Sequence, residues 1–200
     1  KDLNKDESRF DIDALLVDNL PKVFIFGDAN TGKTSMIFNI LDKFDSKFIE
    51  NSLIITSKDQ DKYKNCYPNI KVSNRLSLKT IKYNLQYDGR SAIIFDDLSE
   101  KELQKNKKII SLIDKSGRLL IVSSSTPYYN IMSTKNKIYN FDYFISFKSK
   151  NEKIFYNYCK DKFKNFADFS NNFRDITDMD HQAIVINKNI IKRYITKINT

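Results

Sequence analysis

One histidine and two cysteines are all that this 200-residue chain offers to a thiolate or imidazole metal centre. Cys66 and Cys159 stand far apart without a partner motif, so a Cys/His zinc site is all but excluded on ligand count. The same isolation predicts reduced, structural thiols in a cytosol-like compartment. His181, between charged residues and a predicted strand, reads as a surface residue. No apolar run approaches the roughly 20 residues of a membrane span. Lys1 to Glu7 is charged and lacks a signal-peptide core. Residue 1 is Lys rather than Met, which predicts a natural start further upstream. Glycine is scarce too, with four in the chain. What the composition does supply is positive charge: a net +9 and a pI near 9.3. A field of that sign favours a nucleic-acid partner, although the lysines are scattered from end to end rather than gathered in one tail.

Two of the four glycines fall in one octapeptide, Gly27-Asp28-Ala29-Asn30-Thr31-Gly32-Lys33-Thr34. It matches G-x-x-x-x-G-K-[ST], the phosphate-cradling loop of P-loop NTPases, and a glycine-rich background did not create the match. Its setting agrees. Lys22 to Phe26 reads as a buried strand behind Pro21, and Thr34 to Phe44 has helical spacing of Met36, Ile37, Ile40, Leu41 and Phe44. In such a loop, backbone N–H groups and the positive end of the following helix close around the β- and γ-phosphates. Residues Gly27, Asp28, Ala29, Asn30, Thr31, Gly32, Lys33, Thr34 and Ser35 are therefore the expected nucleotide contacts. Lys33 is expected on the phosphate oxygens and the Thr34 hydroxyl on Mg²⁺.

Along the rest of the chain, Leu53 to Thr56, Ile70 to Ser73, Ala92 to Phe95, Leu119 to Val122, Tyr143 to Phe147 and Ala183 to Ile186 read as strands. Helices are predicted over Thr34 to Phe44, Leu76 to Leu85, Glu100 to Asp114 and Asn151 to Phe163, and Gly117 ends the third of these. Asp59 to Pro68 reads as loop, and Phe10 to Val17 as a short amphipathic element. Strands alternating with helices indicate an α/β fold with a mostly parallel central sheet covered on both faces. We expect residues 1–21 to form an N-terminal extension or linker and residues 22–200 a single P-loop ATPase domain, with no internal repeat.

Ala92-Ile93-Ile94-Phe95-Asp96-Asp97 has the Walker B pattern, an apolar strand ending in acid. The buried strand brings the acid out at the carboxyl edge near the metal. Asp96 is assigned to Mg²⁺, and Asp97 to the attacking water as general base. Helix N-capping is the competing role for Asp97. Two strand candidates lie between the phosphate loop and Asp96, which favours RecA-like or AAA-like NTPases, where another strand separates the Walker strands. No Asn/Thr-Lys-x-Asp motif reads guanine, so adenine is the expected base. No arginine-rich lid marks a small-molecule kinase. Ser124, Ser125 and Thr126 end the strand after Walker B, where a polar side chain, Ser125 for choice, could sense the γ-phosphate; turn chemistry before Pro127 explains them equally well. Arg118, just before that strand, suits a transition-state phosphoryl group supplied in trans, or a helix end. Tyr128, Tyr129 and the aromatic and lysine residues of Lys135 to Lys150 could track a nucleic-acid strand.

The order of these features resembles the poxvirus-type genome-packaging ATPases of large DNA viruses and virophages, within the FtsK/HerA superfamily. Val23 to Thr34, Leu53 to Thr56, Ile93 to Leu98 and the Gly117-Arg118 pair carry the resemblance, which runs from about Lys22 to Lys188. It implies a RecA-like, ATP- and Mg²⁺-dependent motor that assembles as a homo-oligomeric ring and drives double-stranded DNA into a viral capsid at its portal proteins. It implies a place in the cytoplasmic viral factory or on the virion. Carried over, Lys33 and Thr34 bind ATP and Mg²⁺, Asp96 and Asp97 serve hydrolysis, and Arg118 matches a family arginine. The family commonly ends the strand after Walker B with glutamine, where this chain has Ser124-Ser125-Thr126. An AAA-type helicase loader or replication ATPase is the alternative, and a nucleotide-binding scaffold that scarcely hydrolyses ATP a third reading.

Overall fold

In the computed structural model, the residues described are 10–16, 20–58, 60–86, 89–97, 99, 101, 113, 116–125, 141–160, 163–179, 181–187 and 190–195. A 3-10 turn at Ile12–Leu15 leads into β1 (Lys22–Phe26), α1 (Lys33–Leu41), α2 (Ser46–Asn51), β2 (Leu53–Thr56), α3 (Gln60–Cys66), β3 (Lys71–Ser73) and α4 (Leu78–Leu85). There follow β4 (Ala92–Asp96), β5 (Leu119–Ser124), β6 (Tyr143–Ser146), α5 (Glu152–Cys159), α6 (Phe166–Thr177), β7 (Gln182–Asn187) and β8 (Ile190–Ile195).

All eight strands form one sheet in the order β3-β2-β4-β5-β1-β6-β7-β8. From β3 to β6 every pairing is parallel, and β7 and β8 add an antiparallel end. The central strands are buried throughout, which explains why they read as continuous apolar runs rather than alternating ones. Strand period 2 sorts their side chains onto two faces. Phe24, Phe26, Ile93, Phe95, Leu120 and Val122 pack with α4, α5 and α6. Val23, Ile25, Ile94, Ile121 and Ile145 pack with α1, α2, α3 and the 3-10 turn. Phe10, Ile12 and Leu15 are buried in this second core, and the Phe10 N–H donates to the Arg193 carbonyl at 2.8 Å.

Three sequence expectations need correction. Asp59 to Pro68, read as loop, contains helix α3, because Tyr63 is fully buried against the sheet and Phe38 packs 4.9 Å from its ring. Two helices were not foreseen, α2 and α6. Asp45 caps α2 by accepting from the Phe48 N–H at 2.7 Å, and Asn165 caps α6 by accepting from the Asp168 N–H at 2.9 Å. The sheet also runs one strand further than predicted: β8 pairs with β7 along its whole length, from Gln182 opposite Ile195 to Asn187 opposite Ile190. Most of the predicted helix Glu100 to Asp114, and Thr126, Tyr128, Tyr129 and residues 135–140, lie outside the described residues. Cys66 is exposed and Cys159 buried, and both are free thiols. No helix among the described residues is long and apolar enough to cross a membrane.

Candidate active site

The parallel strands bring the ends of β1, β4 and β5 to one edge of the sheet. Register decides the spacing. Asp96 lies opposite Ser123, and Phe26 opposite Ser124, so the phosphate loop after β1 and the acids ending β4 flank β5. Between Phe26 and Lys33 the chain closes on itself. Thr31 Oγ1 donates to the Asp28 carbonyl at 2.9 Å, and the Gly27 N–H donates to the Ser124 carbonyl at 3.3 Å. Gly32 opens α1 with φ 110°, and no side chain caps the helix. At α2, α4 and α6, by contrast, the side chains of Asp45, Ser77 and Asn165 each accept from one N–H of the first turn, that of Phe48, Thr80 and Asp168. The leading N–H groups of α1 and the positive helix end thus face the cavity.

Both loop glycines are required by close approach. A Cβ at Gly27 would meet Phe147 Cβ at 2.8 Å, and one at Gly32 would meet Phe147 Cε1 at 3.2 Å and His181 Nδ1 at 2.9 Å. The loop is therefore pressed onto the segment after β6. Asp28 is the anchor there: its N–H donates to the Lys148 carbonyl at 2.9 Å. Its carboxylate accepts from Ser149 Oγ at 3.3 Å and from the Lys150 N–H at 3.2 Å. Of the expected nucleotide contacts, Asp28 thus turns its side chain away from the cavity, while Asn30, Gly32, Lys33, Thr34 and Ser35 line it, together with Lys62 and His181. Its volume is about 290 Å³. Ala29 is exposed at the loop tip. A larger hollow of about 690 Å³ beside α4, lined by Leu78, Lys79, Thr80, Lys82, Tyr83 and Gln86, lies away from these residues and holds none of the expected chemistry.

Lys33 is 7% exposed, and its ammonium donates to the carbonyls of Gly27 at 2.8 Å and Asp28 at 2.7 Å. Burial pushes its pKa below the ordinary value, against the pull of Asp97, Asp96 and Asp28. Asp96 is 3% exposed and accepts from three hydroxyls: Ser123 at 2.6 Å on Oδ1, and Tyr63 at 2.8 Å and Thr34 at 3.3 Å on Oδ2. The Thr34 hydroxyl and the Asp96 carboxylate are hard oxygen donors at neighbouring positions. That is the sparse protein share typical of Mg²⁺, which keeps waters and substrate phosphates for its other positions. Among the described residues no group of three or more His, Cys, Asp or Glu could hold a metal. The donor set therefore fits Mg²⁺ on a nucleotide and does not resemble an all-protein cage.

Asp97 is the neighbour of Asp96 in sequence but differs in setting. Its backbone is left-handed, φ 57°, and its N–H donates to the Ser123 carbonyl at 3.1 Å. Lys58 Nζ donates to Oδ2 at 2.7 Å and Ser125 Oγ to Oδ1 at 2.7 Å. Partial burial pushes the carboxyl up, but the hydrogen bonds from Lys58 and Ser125 and the charges of Lys58 and Lys33 outweigh it, leaving the pKa below its ordinary value. Asp97 therefore stays ionised at neutral pH. The structure brings Ser125 to this acid, as a neighbour of the expected base.

Arg118 sits elsewhere. It precedes β5 at the opposite sheet edge, about 20 Å from Ser124 at the ordinary rise per strand residue. It is 8% exposed, its guanidinium donating to Ser91 Oγ and to the Leu85 carbonyl at 3.4 Å. Within its own chain it does not approach the phosphate loop.

Sequence reasoning missed Lys58, Tyr63 and His181. Lys58 and Tyr63 fall in or beside a stretch read as loop, and no motif marks them. His181, read as a surface residue, packs against the phosphate loop instead, because β7 pairs with β6 and the turn entering it passes over Gly32.

No protein-family model matches the chain, and no curated protein matches it in sequence. Solved structures do match. The pCW3 conjugation coupling protein TcpA, in monomer form with ATPgS, superposes with a TM-score of 0.61 at 11% identity, over 86% of this chain and 59% of that one. This chain thus spans less than two thirds of TcpA. The genome-packaging NTPase B204 of Sulfolobus turreted icosahedral virus 2 superposes with a TM-score of 0.54 at 12% identity in complex with AMPPCP, over 89% of this chain and 98% of that one. In complex with sulfate it gives 0.56 at 13% identity, over 92% and 100%. The fold is that of a RecA-like P-loop NTPase. The resemblance read from the sequence, to packaging ATPases of the FtsK/HerA type, has its counterpart among these P-loop NTPase neighbours. In this RecA-like sheet β5 lies between β1 and β4, the separation that the motif spacing favoured.

Proposed function

We propose that the chain is an ATP-hydrolysing motor that translocates double-stranded DNA, and that its task is packaging a viral genome into a capsid. The observation that carries the enzymatic part is the convergence of Lys33, Thr34, Asp96 and Asp97 at one sheet edge, beside a helix whose N-terminus no side chain caps. Residues Gly27 to Ser35 cradle the phosphates, with Lys33 leaving its loop carbonyls for phosphate oxygens. Thr34 and Asp96 hold Mg²⁺, with Ser123 and Tyr63 fixing the carboxylate. Bound there, the ion supplies neutralisation of charge on the phosphoryl oxygens. Asp97 orients the attacking water and takes its proton, and Ser125 holds that carboxylate in place. Lys58 must share or release Asp97 for this to happen.

The DNA part rests on the net charge of +9 and on the similarity in fold to a packaging NTPase and a conjugation coupling protein. Residues 22–200 serve as the ATPase domain, working as a homo-oligomeric ring at a portal, in the viral factory or on the virion. In a ring, Arg118 could serve the neighbouring subunit's nucleotide, provided its guanidinium leaves Ser91 and Leu85.

Steady-state ATP hydrolysis with and without double-stranded DNA tests the proposal, with Lys33→Ala as the blank. DNA stimulation that vanishes in the variant supports a translocase. Hydrolysis indifferent to DNA moves the reading to a loader-type ATPase, and ATP binding without hydrolysis at any protein concentration moves it to a scaffold.

A further inference from the structure

His181 immediately precedes β7, and its backbone is left-handed with φ 61°. Outside glycine, that conformation is commonest for Asn, Asp and His. The imidazole packs on the phosphate loop, so that a Cβ at Gly32 would meet His181 Nδ1 at 2.9 Å and His181 Cα at 3.5 Å. Nδ1 is buried and has no hydrogen-bond partner among the described residues. The residue as a whole is only partly buried, and it lines the same cavity as Gly32, Lys33, Thr34 and Ser35. Lys62 lines that cavity as well.

These facts constrain what the ring can do. Nδ1 is sealed against the loop, so a hydrogen bond from this ring to a ligand in the cavity can only be made at Nε2. With Nδ1 unpartnered, Nε2 is the ring nitrogen left to bond a ligand, and an imidazole nitrogen can carry the N–H such a bond needs. The residues that line the cavity with it include Gly32, Lys33, Thr34 and Ser35, the ones read above as phosphate contacts.

We propose that His181 is a nucleotide-contact residue, donating a hydrogen bond from Nε2 to the phosphate chain held by the Gly27–Ser35 loop. This rests on the reading of that loop as the nucleotide site. It also gives the antiparallel end of the sheet a direct contact with the bound nucleotide.

Calorimetric binding of ATP and of inorganic triphosphate to the whole chain tests it. His181→Gly removes the ring and accepts the left-handed backbone; His181→Asn also accepts it and decides the question should the glycine variant fail to fold by circular dichroism. Loss of a hydrogen bond to a charged group predicts about tenfold weaker binding of both ligands, measured at a temperature where each ligand-free variant is folded. Unaltered affinity for both ligands overturns the proposal. Weakened ATP binding with unaltered triphosphate binding also overturns it, since the contact would then lie on the nucleoside. Lys33→Ala, measured alongside, separates the two readings. If it binds ATP as the parent does, the loop is not the nucleotide site. If it loses ATP while the His181 variants keep it, only the His181 contact fails.

Discussion

The phosphate loop has two flanks, and they are built on different principles. On the β4–β5 side stand Asp96, Asp97, Ser123, Ser125, Tyr63 and Lys58, a set of carboxylates held by hydroxyls and one ammonium. On the β6–β7 side stand Phe147 and His181, pressed against the two loop glycines, and Ser149, whose hydroxyl donates to the Asp28 carboxylate. The first flank carries charge that can act on a phosphate or a water. The second leaves no space for side chains at Gly27 and Gly32 and so fixes the loop's path. Reactivity and shape are thus supplied from opposite sides of one strand, β1.

The two acids repeat the contrast on a smaller scale. Asp96 ends a regular strand, is buried, and has its oxygens aimed by neutral donors. Asp97 has left the strand geometry, is more exposed, and is held by a charge. The first arrangement suits a metal ligand, which must keep its position. The second suits a base, which must exchange partners.

Substitutions on each flank should separate these roles. The largest effect is expected from Asp97→Asn, which should lower ATP turnover by about 10²–10⁴-fold while ATP affinity by calorimetry stays near that of the parent. Equal loss of binding would move Asp97 from catalysis to nucleotide binding. On the other flank, Gly32→Ala combines the strained φ with the contacts to His181 and Phe147. It should cost more than about 1 kcal/mol of stability, read as a lowered melting temperature without ligand. An unchanged melting temperature would mean that the second flank does not fix the loop.

Tyr63→Phe keeps the buried ring and removes the hydroxyl on Asp96. A loss of about 1 kcal/mol and reduced turnover at limiting Mg²⁺ are expected. An effect on stability alone would make Tyr63 a core residue only.

Lys58→Met gives the smallest change and addresses pH. The Asp97 carboxyl has a pKa below its ordinary value, so its folded-state stabilisation is complete above that ordinary value and is lost as pH falls through the lowered one. Without the hydrogen bond and charge of Lys58, burial pushes the carboxyl back up. The acid limb of the kcat/KM profile should therefore move to higher pH. A limb that stays in place would assign it to a group other than Asp97.

Much of the first flank was legible in the chain because it sits on motifs. A strand, a glycine turn and a helix read directly from Val23 to Leu41, and an apolar run ending in Asp96-Asp97 needs only a parallel partner to reach the same edge. Tyr63 and Lys58 were not legible, since a seven-residue helix with one buried aromatic has too short a period to stand out from loop. The second flank had no local signal at all. His181 meets Gly32 across about 150 residues of chain, a contact that exists only because β7 returns antiparallel beside β6.

The sequence by itself therefore determined the α/β alternation, the strand–glycine turn–helix from Lys22 to Leu41 and the strand that ends in Asp96, because these depend on hydrophobic period and on residue types at short spacing. The tertiary structure alone decided which acid is held by hydroxyls alone and which by a hydroxyl and an ammonium. It also decided that Arg118 faces away from its own site, and that a lone histidine lines the cavity. Those outcomes follow from strand order and register, which set distances between side chains that no local pattern relates.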